Sequence, residues 1–123
     1  MSLFNHIYRF FSSSSSSTSL AATKEVVETI IQDNRVAVFS KSWCSFCHST
    51  KDLFNTNFPN TSIKVVELDE HEDGSAIQAY LLEKTGQRTV PNIFVNRQHV
   101  GGNDDVHSMF RKGQLAKLVN SEA

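Results

Sequence analysis

The sequence predicts an α/β domain in which a central sheet lies between layers of helix. Three observations support this. From Ala21 onward, segments with a helical apolar period alternate with short β-branched runs in the order α-β-α-β-α-β-β-α-α. The chain has 123 residues, 39% of them hydrophobic, which is enough for one core without disulfide staples. Its two cysteines are spaced C-x-x-C where a strand-like run gives way to a helix-like one.

The elements follow in order. Val26, Val27, Ile30 and Ile31 fall on one face of a first helix, with Glu25 and Glu28 toward water. Asp33-Asn34 breaks that helix, and Val36 to Phe39 is a short buried strand. The C-x-x-C turn leads into a helix reaching about Phe54, and Asn55 to Thr61, with Pro59, is a loop. Ile63 to Leu68 is a second strand, and an acidic patch then runs to a helix start at Gly74-Ser75. Ile77, Tyr80, Leu81 and Lys84 continue that helix, which Gly86 caps. Thr89 to Val95 is strand-like, with Pro91 near its start, where a sheet tolerates proline. Asn96-Arg97 turns the chain into a hairpin partner, Gln98 to Val100, which Gly101-Gly102 ends. Asn103-Asp104-Asp105 caps a helix carrying Val106, Met109 and Phe110. Gly113 separates it from a last helix with Leu115, Leu118 and Val119. The crossovers among the first three strands do not all have to be parallel.

A formal net charge of -1 and the lack of a basic arm give no footprint for nucleic acid. No apolar run approaches the roughly 20 residues that span a bilayer. Neither kind of partner is therefore expected. Residues 1–20 read as a segment outside the fold. Phe4, Ile7, Tyr8, Phe10 and Phe11 accompany Arg9, a serine run fills Ser12 to Ser17, and no acidic residue precedes Glu25. That is the composition of a disordered tail or an organelle transit peptide, so a cytoplasmic or mitochondrial location, or both, is expected. The domain proper is expected over residues 21–123.

Cysteines three positions apart close too short a loop to constrain the unfolded chain, so the pair reads as reactive chemistry in a reducing compartment. The nucleophile in thiol exchange is the thiolate. Cys44 falls at the start of a helix, whose unpaired N–H groups favour an anion, and Lys41 adds a positive charge three residues earlier. Cys47 lies one turn inside the helix. Cys44 is therefore the expected attacking sulfur and Cys47 the resolving one. Zinc would need four ligands, and His6, His48, His71, His99 and His107 offer no close pair to complete a set. His48 reads as a base or as a helix-surface residue. Trp43 reads as core packing or as a flat partner of Cys44. Asp104 and Asp105 read as ligand groups or as simple helix caps.

Lys41 through Cys47, then Gly86-Gln87-Arg88 with Thr89-Val90-Pro91, then Gly101 to Asp105, together resemble a dithiol glutaredoxin with a Cys-Ser-Phe-Cys centre. The resemblance spans about residues 21–123 and implies a thioredoxin-like fold, a four-stranded mixed sheet flanked by helices. It also implies a glutathione-dependent thiol–disulfide oxidoreductase acting on glutathionylated or disulfide-containing proteins. Position by position, it implies that Lys41 and Arg88 meet the glycine carboxylate of glutathione, with Gln78 nearby. Pro91 matches the family's cis-proline, which exposes the Val90 backbone to the cysteinyl unit. The N–H groups of Asn103 and Asp104 hold the γ-glutamyl carboxylate, and Asp105 takes its ammonium. Phe46, Thr89 and Gly102 complete the expected lining. Asp104 departs from the small uncharged residue common there. Ser45 stands where many members have proline, and in that respect resembles members that bind a [2Fe-2S] cluster. Such a cluster would be held by Cys44 and glutathione from each of two chains, so a monomer is implied for the enzyme and a dimer for the cluster-bound form.

Overall fold

A computed structural model describes residues 19–122. The transit-like reading falls on residues 1–18 for all but its last two positions, and so lies outside the described residues. The nine predicted elements are present in the predicted order: α1 (Leu20–Asp33), β1 (Val36–Ser40), α2 (Ser45–Asn57), β2 (Ile63–Glu67), α3 (Gly74–Thr85), β3 (Asn92–Val95), β4 (Gln98–Gly101), α4 (Asn103–Arg111) and α5 (Gln114–Asn120). Ser19 caps α1, its hydroxyl accepting the Ala22 N–H at 3.1 Å.

The sheet order is β2-β1-β3-β4. β1 runs parallel to β2 and antiparallel to β3, and β3 pairs antiparallel with β4, so the sheet is mixed. The two central strands are buried at every residue, so they read as continuous apolar runs rather than as alternation. Their side chains still divide by the pleat. Ala37 and Phe39 join Phe94, α1 and α3 on one face. Val36 and Val38 join Ile93, Val95, α2, α4 and α5 on the other. Phe39 and Phe94 meet edge to face at 6.0 Å.

Four sequence expectations shift. Glu28 does not face water. It is half-buried against α3, where Tyr80 Oη donates to its Oε2 at 2.5 Å and Lys84 Nζ lies 2.9 Å away. Val26 is the more exposed residue of that turn, and Thr23 takes its place inside. Helix α2 runs on to Asn57 because Phe54 and Phe58 still pack as a tilted aromatic pair at 5.9 Å. The third strand starts only at Asn92, because the preceding segment carries the proline and folds back toward the cysteines. The hairpin turn is as expected: Asn96 and Arg97 both take positive φ (51° and 68°), as a two-residue type I′ turn demands. Gly86 caps α3 in the left-handed conformation at φ 82°.

Candidate active site

The site forms where β1 ends. Cys44 is the N-cap of α2, and its Sγ accepts the Cys47 N–H at 3.3 Å. A helix leaves its first N–H groups without backbone partners, so the sulfur sits where a negative charge is best received. Cys44 retains 9% of its surface, whereas Cys47 retains none. Burial pushes the Cys47 thiol above the ordinary cysteine value, and the neighbouring Cys44 pushes it the same way. A thiol raised in this way keeps its proton at neutral pH and loses it only in more alkaline solution. One equivalent of iodoacetamide at neutral pH is therefore expected to label Cys44 and spare Cys47, with Cys47 joining as pH rises. Peptide mass spectrometry reads the ratio, and equal labelling at neutral pH would contradict the assignment.

The loop before Cys44 is clamped. The Asp69 carboxylate, just past β2, accepts both the Ser42 N–H at 2.9 Å and the Ser42 hydroxyl. Those two bonds hold the Asp69 carboxyl below its usual range. From the other side, His48 Nε2 donates to the Ser42 carbonyl at 2.9 Å, since a carbonyl can only accept. His48 is thus an exposed residue serving the loop, and not a base aimed at either sulfur. Trp43 is no core residue: it is 70% exposed, with Lys41 Nζ 5.7 Å from its ring centre.

Facing the sulfur is the loop before β3. The Val90–Pro91 peptide is cis, as the resemblance implied, and Val90 O lies 3.9 Å from Cys44 Sγ. Gln87 staples this loop, its Nε2 reaching Thr89 O and Pro91 O at 3.0 Å each. The third wall is the start of α4. Asp105, at the third position of the helix, reaches back so that its Oδ2 accepts the Gly102 N–H at 2.8 Å. Gly101 makes this possible: φ is 121°, and a Cβ there would stand 2.3 Å from Asp105 Oδ2. Asp105 is therefore a cap and a groove residue at once, and Asp104 beside it is exposed on the same groove.

Phe46, Thr89–Pro91 and Gly102–Asp105 surround one groove of about 350 Å³. Eight predicted binding residues thus share one concavity beside Cys44. Lys41 and Gln78 line a separate cleft of about 280 Å³ with Trp43 and Asp69. Arg88 is exposed on the chain leading into Thr89, and Gln78 Nε2 donates to its carbonyl at 2.9 Å. Sequence reasoning missed the clamp and the staple. Asp69 was visible only as part of an acidic run, and Gln87 only as a neighbour of Arg88.

The glutaredoxin family model matches residues 36–100. The chain belongs to the glutaredoxin family. It is 50% identical over 101 residues to a glutaredoxin of Solanum lycopersicum, covering 82% of this chain and 88% of that one. Among solved structures it is similar to the buckwheat glutaredoxin–glutathione complex, with a TM-score of 0.77, 39% identity, and 81% and 89% of the two chains covered. It is also similar to the holo form of glutaredoxin C1 from Populus tremula x tremuloides, with a TM-score of 0.75, 37% identity, and 81% and 88% covered. The flanked four-stranded mixed sheet is the thioredoxin-like fold of these glutaredoxins, and the chain is a glutathione-dependent thiol oxidoreductase.

Proposed function

We propose that this glutaredoxin reduces protein–glutathione mixed disulfides, with Cys44 as the attacking sulfur and the groove beside it as the seat of the glutathionyl group. The observation behind this reading is the asymmetry of the two sulfurs, one at a helix start beside an open groove and one sealed behind it. The Cys44 thiolate attacks the glutathionyl sulfur, the substrate S–S bond breaks, and the protein sulfur leaves as a thiolate that takes a proton from water. The thiolate of a second glutathione then attacks the glutathionyl sulfur on Cys44. Glutathione disulfide departs and the Cys44 thiolate is restored. With a protein disulfide, Cys44 first forms a mixed disulfide with the protein. Cys47, once deprotonated, displaces that protein by attacking Cys44, and two glutathiones reduce the resulting Cys44–Cys47 bond.

Each part of glutathione has a matching group. The Val90 backbone offers a strand edge to the cysteinyl unit. Lys41 and Arg88 supply positive charge for the glycine carboxylate, with Gln78 alongside. The opening N–H groups of α4 at Asn103 and Asp104 suit the γ-glutamyl carboxylate, and the oxygen of Asp105 not given to Gly102 suits the ammonium. Phe46, 61% exposed, lends an apolar wall. Asp104 contributes through its backbone. Steady turnover of a glutathionylated peptide with glutathione as reductant is the expected result, and no turnover would overturn the reading.

A second reading, a [2Fe-2S] carrier or sensor, is favoured by the surface around Cys44, where Trp43 and Phe46 are both largely exposed. Among the described residues no group of three or more His, Cys, Asp or Glu could hold a metal within one chain. The donors fit only as a shared set, Cys44 from each of two chains and two glutathione thiols. Such a cluster would supply one-electron redox chemistry or be passed on as cargo. Protein purified without oxygen in the presence of glutathione tests this by its visible spectrum and size, and a colourless monomer rules it out.

A further inference from the structure

Two residues that take no part in the thiol chemistry tie the helix of the cysteines to the helix that opens the groove. Thr50, three residues after Cys47, is fully buried, and its Oγ1 donates to Asn103 Oδ1 at 2.8 Å. Next to it, Ser49 Oγ and His107 Nε2 lie 3.0 Å apart. A threonine inside a helix commonly returns its hydroxyl proton to the carbonyl one turn back. Thr50 instead directs it across the gap to α4. The residue it holds is the first of α4 and part of the groove lining.

An asparagine amide has an accepting end and a donating end. With Oδ1 engaged by a buried hydroxyl, the NH2 is the end Asn103 has left for the groove. An amide free to rotate would present oxygen or nitrogen, and an oxygen would repel a carboxylate. A tethered one presents a donor every time, at little entropic cost on binding.

We propose that Thr50 is a positioning residue for substrate selectivity: it sets the Asn103 amide so that Nδ2 donates to the carboxylate of the γ-glutamyl group. This rests on the placement of that group at Asn103–Asp105 given above. The enzyme's preference for the whole tripeptide then depends on a side chain that touches no ligand.

The test compares two mixed disulfides of one peptide, one with glutathione and one with cysteinylglycine, which lacks the γ-glutamyl unit. The readout is the ratio of their kcat/KM values. Thr50→Val is expected to lower that ratio about five- to tenfold, the scale of one net hydrogen bond. It leaves the cysteinylglycine rate unchanged. Asn103→Ala lowers the ratio similarly, and the double variant lowers it no further, because both remove one bond. Thr50→Ser, which keeps the hydroxyl, retains the wild-type ratio. Equal loss on both substrates in Thr50→Val assigns the residue to folding alone and overturns the proposal, as does an unchanged ratio. Asp105→Asn serves as the reference. If it lowers the ratio while Thr50→Val does not, the tether fails and the γ-glutamyl placement stands. If neither moves it, both fail.

Discussion

Cys44→Ser is expected to abolish reduction of both glutathionylated proteins and protein disulfides, whereas Cys47→Ser keeps the first and loses the second. The two sulfurs differ in three physical respects. Cys44 Sγ receives an N–H at a helix start, retains surface, and lies beside the groove. Cys47 is sealed, and its thiol is pushed upward, so it holds its proton while Cys44 reacts. Deglutathionylation needs only one enzyme sulfur, because glutathione itself resolves the intermediate. A serine hydroxyl at position 44 cannot form the mixed disulfide at all. Assays with a glutathionylated peptide and with a protein disulfide separate the two outcomes. Complete loss of deglutathionylation in Cys47→Ser would contradict the assigned roles.

The second large effect concerns Asp105, where two functions meet in one carboxylate. Asp105→Ala is expected to raise KM for glutathione about tenfold, by removing the partner of its ammonium. It also destabilises the protein by roughly 0.3–1.5 kcal/mol, by releasing the Gly102 N–H from its cap. Asp105→Asn separates the two, since its amide oxygen still accepts that N–H but its charge is gone. The melting temperature should therefore fall in the alanine variant and hold in the asparagine variant, while KM rises in both. A parallel fall in melting temperature would mean that the charge itself, acting on the α4 dipole, is what stabilises the helix.

The fold was largely legible because its signals are local. The buried β-branched runs and the cap cluster at Asn103 to Asp105 each fall within a few residues, as does the positive-φ turn at Asn96-Arg97. What remained hidden depends on pairs distant in sequence. Nothing near Glu28 announces Tyr80, 52 residues away. Nothing near Ser42 announces Asp69, and nothing near Thr50 announces Asn103. The alternative readings of Trp43 and His48 were open for the same reason. An aromatic or an imidazole beside a cysteine has several possible neighbours, and only the folded loop decides among them. Asp104 and Asp105 look identical as a dipeptide, yet it is Asp105 that the helix turns back to accept the Gly102 N–H.

The order of strands in the sheet bears on how the protein is made. β1 has its parallel partner, β2, soon after it in the chain, but its other neighbour, β3, begins only at Asn92. Both walls facing Cys44 are therefore built by chain synthesised late, the Thr89–Pro91 loop and the start of α4. Pairing across such separations is the slow part of folding. A growing chain accordingly carries both cysteines before the residues that wall the groove have been added. During that interval the cysteines have the chemistry of a short dithiol peptide, open to any oxidant in the compartment, and substrate selection begins only when synthesis is nearly complete.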